Sequence, residues 1–191
     1  MSAAVGVVLD ANVLFPIALC DTLVRAALAG LYRPHWTAAI LDEVERNLVA
    51  HDRATAGQAR HRRGRMEAAL PSALVTGYES LIPAMENDPK DRHVLAAAVR
   101  TGARLIVTEN LRDFPASACA KYDVEARRAD AFLTDLLDAA PEIMVEIIRE
   151  QAADLRHPPQ APAQVLARLA RTAPTFAREV YRRLYPPDHA P

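Results

Sequence analysis

Four acids sit where carboxylates could do chemistry as well as solvate a surface. Asp10 ends the apolar run 5–9 (Val-Gly-Val-Val-Leu), and Asp113 follows shortly after a second run at 104–108 (Arg-Leu-Ile-Val-Thr). Asp91 lies in Asp88-Pro89-Lys90-Asp91, where a helix should begin, and Glu43 lies on an amphipathic stretch after Trp36-Thr37. In an open α/β sheet, ligands bind in the crevice beyond the carboxyl ends of the strands, so residues distant in sequence can converge there. A set dominated by acids suits a hard cation.

Each acid also has an ordinary reading. Asp10 could close a turn or accept a backbone N–H. A nucleophilic-aspartate phosphatase would compete for such a strand, but it would usually want a second acid where this chain has Asn12. Asn12 could instead hold Asp10 or a water in place. Asp91 could simply oppose the helix dipole, yet its spacing aligns it with Val94, Leu95 and Ala98 on the packing face. Asp88 fits the cap role better. Asn110 could cap a short helix with Asp113 in its first turn. Glu43 would by default be a surface glutamate, and it gains a role only if its helix crosses the mouth of the crevice.

The elements that must position these residues follow from pattern. The run 5–9 reads as a buried strand, followed by helix to residue 18 and from 21 to 28, with a break at Pro16. Thr37 is a candidate N-cap for a helix over 38–50, with Ile40, Leu41, Val44 and Leu48 as its apolar stripe. A basic stretch follows, rich in Arg53, Arg60, Arg62, Arg63 and Arg65, and reads as an exposed or mobile helical arm ending before Pro71. Part of 72–82 reads as a strand. A helix then opens at Asp88, with proline at its first position, and runs through residue 100. With the strand at 104–108 this makes a βαβ unit, which favours a parallel sheet covered by helices. A strand near Val124 and a helix over about 129–137 should complete the core.

Beyond Pro141 the chain becomes helical only, at 141–155, 162–170 and 174–184. The expected architecture is therefore an α/β three-layer sandwich around a central, mostly parallel sheet, over 1–138, with a helical C-terminal extension over 139–191. The apolar stripes of that extension should pack on the core or on a partner.

Composition narrows the function classes. A chain of 191 residues with 51% hydrophobic content can bury a core. Net charge is −1 and the pI is about 6.6, so there is no bulk basic field, and nucleic-acid binding would rest on local patches and bridging cations. Cys20 and Cys119 are the only cysteines, which suits a reducing compartment and supplies no disulfide framework. No signal peptide is evident, and no apolar stretch nears the roughly 20 residues that span a bilayer. A cytoplasmic location is expected.

Four pieces in order, Leu9-Asp10-Ala11-Asn12-Val13-Leu14-Phe15, Trp36-Thr37 with Ile40-Leu41-Asp42-Glu43-Val44, Asp88-Pro89-Lys90-Asp91-Arg92-His93-Val94-Leu95, and Val107-Thr108-Glu109-Asn110-Leu111-Arg112-Asp113-Phe114-Pro115, resemble a PIN domain. That is the fold of metal-dependent ribonucleases, which include the VapC-like toxins of bacterial toxin-antitoxin pairs. The resemblance spans roughly residues 4–138 and leaves the last three helices outside.

It implies that Asp10, Glu43 and Asp91 are active-site acids. Asn110 stands where many members carry an acid, so Asp113 would be the fourth, with Asn12, Thr108 and Asn110 in support. These acids would hold Mg²⁺ or Mn²⁺, and one ion would activate a water for attack on an RNA phosphodiester. Arg46, Arg53, Arg60, Arg62, Arg63 and Arg65 would contact phosphates beside the site. An antitoxin partner and a homodimer are implied as well. A housekeeping RNA-processing nuclease, or a non-catalytic RNA- or protein-binding module, remains the alternative.

Overall fold

The computed structural model describes residues 4–155 and 159–186. Packing divides the chain into two compact units, one of Met1–Pro16 with Tyr32–Arg128, the other of Ile17–Leu31 with Ala129–Pro191. The division expected at 138 and 139 follows the pattern along the sequence, whereas this grouping follows contacts in space.

The first unit is built on a five-stranded, all-parallel sheet in the order β3-β2-β1-β4-β5. Its strands are β1 (Gly6–Leu9), β2 (Arg33–Thr37), β3 (Leu74–Val75), β4 (Leu105–Val107) and β5 (Glu125–Arg127). β1 is central, and all four of its residues are buried, as expected for a parallel strand covered on both faces. The expected α/β architecture with a parallel sheet and covering helices is what the chain adopts.

β2 was not evident from sequence because it contains Pro34. Arg33 N donates to Val5 O across the β1 side (2.9 Å), so the nitrogen of Pro34 faces the other way. There β3 has not yet begun, since it pairs only with Trp36 and Thr37. A proline is thus tolerated where no ladder bond is lost. The strand expected within 72–82 shrinks to Leu74–Val75, flanked by 3₁₀ segments at Pro71–Ala73 and Glu79–Ala84.

Helices of this unit are α1 (Ala11–Leu14), α3 (Ala38–Ala50), α4 (Ala56–Ala69), α5 (Arg92–Thr101) and α6 (Ala116–Ala120). Thr37 caps α3, its hydroxyl accepting from Ile40 N at 3.1 Å, and Thr55 with Gln58 forms a capping box on α4. Right-handed crossovers put α3 and α5 on opposite faces, because the chain moves outward from β1 to β3 and returns past β1 to β4. α5 ends at Gly102, whose φ of 65° supplies the left-handed turn into β4. The basic arm is less free than expected. Arg62 donates to the Leu14 and Phe15 carbonyls at the end of α1, and Arg63 is ion-paired with Asp42, Glu45 and Glu67.

The second unit is helical: α2 (Ile17–Leu28), α7 (Ala129–Ala139), α8 (Pro141–Asp154), α9 (Pro162–Leu169) and α10 (Pro174–Leu184). α7, expected to complete the sheet's core, groups with these helices. Leu23, Leu133, Ile148, Leu169 and Phe176 are among its fully buried residues. Buried Gln151 accepts from the Thr22 hydroxyl (2.9 Å) and donates to Ala18 O (3.0 Å), satisfying its amide. Asp130 accepts from Phe176 N at 2.9 Å, serving an N-terminal donor of α10. Among the described residues no helix is long and apolar enough to cross a membrane.

Candidate active site

β1 and β4 are neighbours, but the chain leaves them toward opposite edges of the sheet, β1 toward β2 and β4 toward β5. This is a topological switch point, the place where an open parallel sheet leaves a crevice. Leu9 pairs with Val107, so Asp10 and Thr108 emerge side by side at that point. Asp10 N donates to Val107 O at 3.1 Å, and Thr108 N to Arg127 O at 2.9 Å.

Three residues form a closed polar network there. Asp10 Oδ1 accepts from Ala11 N (2.7 Å), which makes Asp10 the N-cap of α1. Its Oδ2 accepts from Asn12 Nδ2 and from the Thr108 hydroxyl, each at 2.7 Å. Asn12 Oδ1 accepts from Glu109 N (3.0 Å), tying the loop after β4 to α1, and Thr108 Oγ1 accepts from Asn110 N (3.0 Å) within that loop. Burial pushes the Asp10 carboxyl up from its ordinary range. Donation by Thr108 and Ala11, the charge of His93 and donation by Asn12 oppose that rise. The capping reading of Asp10 and its placement in the crevice are therefore compatible.

Asp91 arrives from the other side. Asp88 caps the 3₁₀ turn Pro89–Asp91 by accepting from Lys90 N at 3.1 Å, and α5 proper begins only at Arg92. The expected helix start at Asp88 is thus a tighter turn whose last residue, Asp91, is buried. Asp91 Oδ2 has no hydrogen-bond partner. Desolvation, and next the negative charge of Asp10, push this carboxyl up to about 7; Lys90 opposes the rise and Asp113 adds to it.

Asp113 closes the 3₁₀ turn Leu111–Asp113. Its carboxylate is held low by Lys90, whose Nζ lies 3.0 Å from Asp113 Oδ2 and 3.9 Å from Asp91 Oδ2. The loops are tied together by Asp88 N donating to Asp113 O at 3.1 Å. Asn110 is exposed, and its side chain makes no capping bond to the turn it precedes.

Asp10, Asp91 and Asp113 therefore share one electrostatic neighbourhood. Glu43 does not join them by a contact. It is half-buried on α3, and α3 packs against α1, the helix that Asp10 caps. Among the described residues, no three of His, Cys, Asp and Glu are close enough as they stand to hold one metal ion. The donor chemistry nevertheless suits a hard cation: carboxylate oxygens, one of them buried without a hydrogen bond, in a site with too little positive charge.

Of the six arginines expected to contact phosphate, Arg46, Arg53, Arg60 and Arg65 are exposed, while Arg62 and Arg63 are occupied as described. Sequence reasoning did not single out Lys90 and His93. His93 Nδ1 lies 3.0 Å from Lys90 O, and its charge favours ionised Asp10. Their only sequence signal is position, within a turn of Asp91.

Comparison with known proteins gives three findings. The PIN domain family matches residues 6–112, and the VapC50 C-terminal domain matches residues 129–182. A curated relative from Mycobacterium tuberculosis (strain ATCC 25618 / H37Rv), named "Putative ribonuclease VapC50", is 44% identical over 117 residues, 61% of this chain and 69% of the relative. No solved structure matches the chain. Asp10, Glu43, Asp91, Thr108 and Asn110 lie inside the PIN match, and Asp113 lies one position beyond it. The second match begins at Ala129, where the chain enters the helical unit for the second time.

Proposed function

Because the chain belongs to the PIN-domain family, we propose that it is a divalent-metal-dependent endoribonuclease, the toxin half of a toxin-antitoxin pair. The observation that carries the metal-dependent reading is the buried Asp91 Oδ2, which has no hydrogen-bond partner and only a 3.9 Å ion pair with Lys90 to offset the charges of Asp10 and Asp113. A carboxyl in that position is poorly compensated by protein alone, and a divalent cation would relieve it. The toxin reading draws on the second family match and on the ribonuclease name of the relative.

Asp10, Asp91 and Asp113 would hold Mg²⁺ or Mn²⁺, with Glu43 completing the set from α3. When bound, such an ion supplies activation of the attacking water and neutralisation of charge on the phosphate. Asn12 and Thr108 fix the Asp10 carboxylate by donating to Oδ2, so its orientation is set before substrate arrives. The same two side chains hold the loop carrying Asn110 and Asp113 against the crevice. Exposed Arg46, Arg53, Arg60 and Arg65 would bind phosphates along the RNA, giving affinity without sequence reading. Antitoxin binding over the acidic crevice, a homodimer and a cytoplasmic setting belong to the same proposal.

Purified protein incubated with structured RNA should release defined ends with Mg²⁺ or Mn²⁺, none with EDTA, and none from the Asp10→Asn variant. Mapping those ends by sequencing identifies the substrate. Asn110, an amide where many PIN domains carry an acid, motivates a second reading, a binding module without catalysis. Tight RNA or protein binding with no metal-dependent ends across several RNA classes would select it.

A further inference from the structure

Lys90 places its ammonium beside two of the acids, 3.0 Å from Asp113 Oδ2 and 3.9 Å from Asp91 Oδ2. Its backbone is pinned: N donates to Asp88 Oδ1 (3.1 Å), and O lies 3.0 Å from His93 Nδ1. The neighbouring Asp88 N–H in turn holds the Asp113 carbonyl. From this fixed turn a side chain that is 63% exposed brings its ammonium to the Asp113 and Asp91 carboxylates. Its ammonium is within bonding distance of Asp113 but too far from Asp91 for a hydrogen bond. One charge thus bonds one carboxylate and reaches the other only as a long ion pair, leaving the buried Asp91 Oδ2 without a hydrogen bond.

We propose that Lys90 is a tethered counter-ion that competes with the divalent cation for Asp91 and Asp113. It holds the two loops together in the metal-free protein and raises the metal concentration at which the site fills. This rests on the metal-dependent reading above. Lys90 is a positioning residue here, because it acts on the acids and not on the reacting phosphate. A divalent ion that takes up both carboxylates displaces the ammonium, and the side chain, already largely in solvent, swings out at little cost.

The test is Mn²⁺ binding by the full chain, followed by calorimetry or paramagnetic resonance and needing no RNA. Removing one positive charge a few ångströms from the site, in a partly solvated setting, should tighten Mn²⁺ binding about three- to tenfold. Lys90→Met and Lys90→Gln should both do so, while Lys90→Arg should stay near the parent. In EDTA the Met and Gln variants should melt below the parent, and added Mn²⁺ should raise their Tm by more. Equal or weaker binding in the Met and Gln variants, or tighter binding in the Arg variant too, overturns the proposal. Binding by the parent that the Asp10→Asn change does not weaken overturns the metal site itself, a separable result.

Discussion

Asp10 and Asp91 are both buried carboxylates in one crevice, yet Asp10 accepts hydrogen bonds on both oxygens and Asp91 keeps one oxygen with none. Asp10 sits at the switch point of the sheet, where strand register delivers Thr108 and the first turn of α1 delivers Asn12. Asp91 sits at the end of a 3₁₀ turn and is answered chiefly by a long, exposed lysine. One half of the site is fixed by geometry. The other is fixed by charge that is only half balanced, and it is there that an external cation has most to gain.

The comparison breaks most severely at Asp10. Asp10→Asn keeps the size of the side chain but removes its charge, so metal-dependent RNA cleavage should fall by about a hundred- to a thousandfold. Circular dichroism should show the fold retained.

The second effect lies in the pH dependence of the metal-free protein. Asp91 titrates near 7 in the folded chain, against an ordinary value of 3.8. The folded state therefore keeps a proton that the unfolded chain releases, and stability falls as pH rises from about 4 to about 7. The loss is on the order of a few kcal/mol. Asp10, also raised by burial, adds to the same trend. Asp113 is held low and acts in the opposite sense, but only below its ordinary range. Denaturant unfolding in EDTA between pH 4 and 8 should show the decline, Asp91→Asn should flatten it, and Mg²⁺ should reverse it near neutrality.

Loosening the satisfied half should cost less. Thr108→Val removes a donor to Asp10 and the acceptor for Asn110 N, and Asn12→Ala removes a donor and the acceptor for Glu109 N. Each should destabilise the fold by about 1–3 kcal/mol and also lower cleavage, as thermal melts and kinetics on the same preparations would show.

The smallest effects separate the arginines. Arg63→Ala should lose at most about 1 kcal/mol of stability, since its ion pairs are partly exposed, and should leave RNA affinity unchanged. Arg60→Ala should leave stability unchanged and reduce the salt dependence of RNA binding by about one unit of slope. Filter binding at several salt concentrations distinguishes the two.

Local rules in the sequence determined much of this protein. The unbroken apolar runs gave β1 and β4, hydroxyl and carboxylate caps gave the starts of α3 and of the turn at Asp88, and proline-led amphipathic stretches gave α8, α9 and α10. Residue type, position and family resemblance also pointed to Asp10, Glu43, Asp91 and Asp113, of which the structure groups Asp10, Asp91 and Asp113 electrostatically. Only tertiary structure decided that β2 could carry Pro34, that Asn12 and Thr108 saturate Asp10, that Arg62 and Arg63 are tied up, and that α2 and α7 group with the C-terminal helices. The physical reason is range. Caps and periodicity act within a turn or two of chain, whereas the pairing of Thr108 with Asp10 and the frustration of Asp91 arise from groups brought together by register, burial and charge.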